Sequence, residues 1–221
     1  MSYYKFRGCN DLSLSMLSHQ EVYFASLDEF NDPFEGQFQI DPKIGDDFQQ
    51  KLDHRRVYSV AKGDRSFVEN AELMWTFYAD GHRGFCIEYN ESLLDGFKEY
   101  KVPADIQQNV WMAANYSDSA PEKILNCTNS DEAAADILQT KKLDYGYENE
   151  VRLVIHTNDA LDSIRSVNGA VSAIYLGCRI DEVNTKKLKR IAEMLGVPCY
   201  PVKQVKESFR LSFGEDICSK K

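Results

Sequence analysis

Hydrophobic and polar positions along this chain change period several times, and the changes mark out its elements. "YYKFR" (3–7) reads as a short strand, and Asn10 or Asp11 caps a helix over "LSLSMLSHQ", in which Leu14 and Leu17 sit three apart. "EVYFAS" (21–26), "RVYSVAK" (56–62), "RGFCIEYN" (83–90), "YENEVRLVIH" (147–156) and "AVSAIYLGC" (170–178) have strand composition, and "NVWMAANYS" (109–117) reads as another. Three segments switch to helical spacing. "NAELMWTFYAD" (70–80) starts at a capping Asn70 and stops at Gly81; "SDEAAADILQTKKL" (130–143) carries acids early and lysines late; "DEVNTKKLKRIAEMLG" (181–196) ends at Gly196. Residues 37–56 are weakly patterned and read as loop and helix, while "VPCYPV" and "ESFRLSF" follow as extended segments. Strands and helices mix without βαβ alternation, and no repeat or linker interrupts them. The expectation is one α+β domain over residues 1–221, with a mixed, twisted β-sheet flanked by helices.

Within this pattern three places hold more chemistry than a fold needs. If the strand 147–156 keeps a period of two, Glu148, Glu150 and Arg152 share one face and Val151, Leu153 and Ile155 the other. The functional reading is a polar cleft in which a carboxylate orients a sugar hydroxyl or stabilises a developing cation, with Arg152 holding a carboxylate or phosphate. The plain alternative is a solvated sheet face with a cross-strand ion pair. The helix 70–80 sets Trp75, Tyr78 and His82 at spacings of three and four, as a stacking platform for a ring or as an aromatic core stripe. Arg83 and Gly84 then turn the chain into the next strand. "DEFNDPFEG" (28–36) packs four carboxylates around Asn31 and Pro33. Asn31 and Asp32 fit an Asx-type turn, Pro33 fixes φ, and Phe30 and Phe34 would pin the loop into the core. The surplus carboxylates remain to be explained, since calcium-loop spacing is missing.

Composition narrows the function classes. The net charge of −9 works against sequence-blind binding to a phosphate backbone. The basic run Lys186, Lys187, Lys189 and Arg190 reads as a solvated helix face. Six cysteines at wide spacing, no C-x-x-C pair, no secretory leader and no apolar run of spanning length suggest reduced thiols in a cytoplasmic protein outside the membrane. No dinucleotide-fold glycine signature, P-loop, nucleophile elbow or histidine metal spacing is present.

Taken together, "YKFR", "VYFASLDEFNDPFEG", "LMWTFYADGHRGFCIEY", "YENEVRLVI" and "AIYLG" resemble, over about residues 3–213, a bacterial family known only as a domain of unknown function. The order of elements also resembles the ADP-ribosyltransferase fold. That second resemblance implies NAD as a substrate, no metal, Arg7 on the pyrophosphate, Ser26 as a positioning group and Glu150 as the catalytic carboxylate, with Glu148 beside it. A carboxylate near the ribose would stabilise an oxocarbenium-like state, and Trp75 or Tyr78 would stack the nicotinamide. The leading expectation is therefore an NAD-using transferase-like protein of stress or conflict. Its rival is a non-enzymatic module binding a small molecule or a protein partner. A nuclease with Asp32, Glu35 and Glu148 as metal ligands is the third.

Overall fold

The computed structural model describes residues 1–36, 51–100, 108–119, 130–157 and 163–219. In chain order the strands are β1 (Ser2–Arg7), β2 (Glu21–Tyr23), β3 (Arg55–Gly63), β4 (Phe85–Tyr89), β5 (Lys98–Glu99), β6 (Val110–Ala113), β7 (Asn115–Ser117), β8 (Thr140–Lys142), β9 (Glu150–His156), β10 (Ile164–Ser166), β11 (Val171–Leu176), β12 (Cys199–Gln204) and β13 (Leu211–Phe213). Among the described residues nine of these strands form a mixed sheet, and with the helices they give an α+β fold. No helix among the described residues is long and apolar enough to cross a membrane. The chain divides into two compact units: Met1–Val22, Val60–Leu93 and Ser166–Lys221 form the first, and Tyr23–Ser59 and Leu94–Arg165 the second.

In the first unit the strand order is β13-β12-β11-β4-β1. β1 runs antiparallel to β4, with Tyr4 opposite Glu88 and Phe6 opposite Cys86; β11 is antiparallel to β4, and β12 is parallel to β11. Helix Asp11–Ser18 begins where expected, since Asn10 Oδ1 accepts the Ser13 N–H at 2.8 Å. Helix Glu182–Leu195 has Asp181 as N-cap, accepting from Asn184 N–H at 2.8 Å, and Gly196 in the left-handed region at φ 70°. It buries Leu188 and Ala192, while Lys186 and Lys189 stay at the surface, paired with Glu182 and Glu193 one turn away. The basic run is therefore a solvated face, with pairs each worth only about 0.3–0.5 kcal/mol.

The helix expected over 70–80 is shorter, Glu72–Tyr78, and is preceded by a separate turn of helix, Ser66–Glu69. Asn70 closes that first turn rather than opening the second, because its N–H is taken by Ser66 O and Phe67 O. Trp75 is fully buried, donates its indole N–H to Val68 O at 2.9 Å and meets Phe6 edge-on at 5.0 Å.

In the second unit β9 pairs antiparallel with β6, Arg152 opposite Met112, and β6 pairs parallel with β5. Helix Ser130–Gln139 packs Ala133, Ala134, Ile137 and Leu138 against Val57, Val110, Met112 and Val154. It stops at Gln139, short of the expected 143. Thr140 to Lys142 leave the helix as β8 and pair in parallel with β7, so the late lysines belong to a strand. β9 is buried on both faces through Ile155, which removes the plain alternative of a solvated sheet face. Glu148 lies outside the strand, at the end of the 3₁₀ turn Leu143–Glu148. Asn149, in the left-handed region at φ 44°, turns the chain from there into β9.

Candidate functional site

Five charged side chains of the second unit close on one another in its interior. Lys141, from β8, places its Nζ 2.5 Å from Glu148, 2.7 Å from Glu150 and 3.3 Å from Glu35. Arg152, on β9, donates from Nε to Glu150 at 2.9 Å, from Nη1 to Leu138 O at 2.8 Å and from Nη2 to Glu35. Every one of these side chains is at least nine-tenths buried. Three carboxylates thus surround two cations, with Glu35 and Glu150 each bridging both.

The electrostatics follow from that geometry. Burial alone would raise the Glu150 carboxyl. The charges of Arg152 and Lys141, with hydrogen bonds from Lys141 and Ser59, outweigh burial and hold the carboxyl far below the ordinary range. Burial likewise works to discharge Lys141 and Arg152, and the surrounding carboxylates reverse that effect and keep both cations protonated. Aromatic rings complete the shell. Arg152 lies over Phe30 at 5.4 Å and Lys141 over Tyr145 at 5.1 Å. The Tyr116 hydroxyl accepts the Glu150 N–H at 2.8 Å, and burial pushes its own pKa up to about 12.

The acidic loop reaches this cluster through Glu35 and Phe30. Its turn is of the expected Asx type: Asp32 Oδ1 accepts the Phe34 N–H at 2.9 Å and Asp32 O the Glu35 N–H at 3.1 Å. Upstream, Glu29 accepts from the Ser26 N–H and hydroxyl, each at 2.9 Å, and from the Tyr23 hydroxyl. Phe30 packs on the core as expected. Phe34 does not, because its ring is 75% exposed and Glu35 supplies the inward anchor instead.

Between this loop and the start of β3 lies a cleft of about 750 Å³. Ser26, Asp28, Asp32 and Glu35 line its loop side, with Phe30 and Leu27, and Asp53 and Arg56 line the other. The Glu35 oxygens are turned to Arg152 and Lys141. Asp28 is held ionised, first by the Ser26 hydroxyl and then by its own backbone N–H and by Arg56. The Arg56 guanidinium is tied to the main chain through Asp53 O at 2.6 Å and Arg55 O at 2.8 Å. Among the described residues the walls therefore carry more negative than positive charge, beside an aromatic ring.

Of the residues singled out in the sequence, Glu148, Glu150 and Arg152 come together, with Asp32 and Ser26 on the cleft and Asn31 exposed in the loop. Arg7, Trp75, Tyr78 and His82 belong to the first unit. Arg7 ends β1 opposite Phe85, half-buried. His82 stacks on Trp75 at 6.2 Å. Burial, then the nearby Arg179, lower its pKa. Trp75 is fully covered and belongs to the core, whereas His82 and Tyr78 are half-buried. Glu35 and Glu148 both contact Lys141, but among the described residues no group of three acids, histidines or cysteines could hold a metal ion. Lys141 escaped the sequence reading. Two lysines closing an amphipathic helix read as dipole complements, and only the early stop at Gln139 carries one inward.

No curated protein and no solved structure matches the chain. A family model described as a protein of unknown function (DUF2971) is found at residues 74–153, a stretch that holds Lys141, Glu148, Glu150 and Arg152 and stops short of the acidic loop on its N-terminal side.

Proposed function

We propose that the second unit is a small-molecule-binding module whose ligand carries positive charge, such as an organic amine. One observation carries this reading: a cleft of about 750 Å³, the size of ligand sites generally, has among the described residues Asp28, Asp32 and Asp53 on its walls against one guanidinium, that of Arg56. A concave, acidic wall concentrates cations and repels the pyrophosphate of a dinucleotide. The ion cluster beneath it would serve as a frame, fixing through Glu35 the loop that forms one wall.

A second reading keeps NAD as the substrate. It is favoured by Ser26 lining the cleft and by Glu150 sharing Arg152 with the cleft residue Glu35. Against it, Glu150 is neutralised on both sides by cations and almost wholly covered.

Thermal unfolding separates the two. Spermidine at a hundredfold excess over its dissociation constant should raise Tm by roughly 5–10 °C. Asp28→Asn/Asp32→Asn should lose at least about half of that shift, and about 0.5 M salt should weaken it. A shift with NAD and none with spermidine would overturn the amine reading in favour of the second. An equal spermidine shift in the double variant would show that the cleft is not the site.

A further inference from the structure

Two thiols of the first unit lie together outside the site described above. Cys199 opens β12 and is fully buried; Cys218 is half-buried in the segment that follows β13. Their backbones share one acceptor: Asp216 Oδ1 takes the Cys199 N–H at 2.8 Å and the Cys218 N–H at 3.0 Å. The Ile217 N–H donates to Cys199 O at 2.9 Å, so residues 216–218 are laced to the start of β12. This lacing sets the two cysteines side by side, with the Cys218 thiol donating to Lys189 O at 3.8 Å. Both are free thiols.

We propose that Cys199 and Cys218 are a reversible dithiol/disulfide site, closed by a peroxide and opened by a thiol reductant, that staples the 216–218 segment to β12. Cys218, the more exposed sulfur, attacks hydrogen peroxide and becomes a sulfenic acid while one water leaves. The Cys199 sulfur then attacks that sulfur, and its proton departs with the hydroxyl as a second water. One S–S bond replaces two S–H bonds, and the two electrons lost by the sulfurs reduce the peroxide. A thiol reductant returns both protons and electrons.

The surroundings set the character of this site. Burial, with Cys218 and Asp216 nearby, pushes the Cys199 thiol up to about 12. Burial, then Asp216 and Glu193, raise that of Cys218. Thiolate is scarce in such a pair, so closure is slow. The same basicity makes each sulfur a poor leaving group, so the closed form resists exchange. The pair therefore answers sustained oxidation rather than a brief pulse.

The test uses the whole chain, reduced, desalted and held in excess hydrogen peroxide. Remaining thiols are alkylated under denaturing conditions and the protein is digested with trypsin. The tryptic peptides 191–203 and 211–220 should be recovered as one cross-linked species, lighter than their sum by two hydrogens, that dithiothreitol separates. Cys218→Ser should abolish the link and leave Cys199 open to alkylation, whereas Cys178→Ser should leave the link intact. Oxidised wild type should melt above reduced wild type, a difference missing in Cys218→Ser. Recovery of Cys199 as a free thiol after oxidation, or of either cysteine bonded to a different one, would overturn the proposal.

Discussion

Lys141 shows how much one side chain can organise. Its ammonium has three protons to donate, and three carboxylates, Glu35, Glu148 and Glu150, stand within 3.3 Å of it. Taking such charges from water costs several kcal/mol each, so the cluster holds only while every member has its partner. Arg152→Met should therefore cost about 3–5 kcal/mol in chemical denaturation, because it leaves Glu35 and Glu150 sharing one lysine. Arg152→Met/Glu150→Gln should be less destabilised than the sum of the two single variants, with a coupling of at least about 1 kcal/mol. Strict additivity would mean that the pair is not a functioning contact. Some of this was legible in the sequence. Asn31, Asp32 and Pro33 form their turn from local hydrogen bonds, and local bonds are what a sequence pattern encodes. That Glu35 turns inward while Phe34 stays out was not legible, since it depends on a cation more than a hundred residues away.

At the scale of elements, the strands and the long helix followed from period and capping, as Asp181 and Gly196 illustrate. Two helix ends did not. Helix Ser130–Gln139 ends early because Thr140 to Lys142 find a strand partner in β7, and pairing outweighs the modest helix preference of two lysines. Asn70 lies between two short helices where its pattern promised one. Gly84 carries a different lesson. The sequence suggests a flexible turn, but the structure demands closeness: a Cβ there would lie 2.1 Å from Arg7 O. Gly84→Ala should thus destabilise the protein by about 3 kcal/mol or more, read as a lower urea midpoint. A change within about 0.5 kcal/mol would show that the β1–β4 contact has room to relax.

At the scale of the whole molecule, the net charge of −9 is not spread evenly in its consequences. On the helix Glu182–Leu195 the acids pair with lysines one turn away. In the second unit, Glu35 lies in the ion cluster while Asp28 and Asp32 stay on the cleft wall of the same loop. The two motifs that stood out separately in the sequence, "NDPFE" and "ENEVR", are thereby one construction. Its first part forms the wall and its second the foundation, joined by Glu35 to Arg152 and by Phe30 beneath the same guanidinium. If the foundation positions the wall, weakening the joint must weaken binding, even though the Glu35 oxygens face the cluster rather than the cleft. The most direct measurement is a calorimetric titration of spermidine into wild type and Glu35→Gln, at a temperature where both are folded. The expected result is binding at least about tenfold weaker in Glu35→Gln, about 1.4 kcal/mol. Affinities equal within about twofold, or no spermidine binding to the wild type, would contradict it.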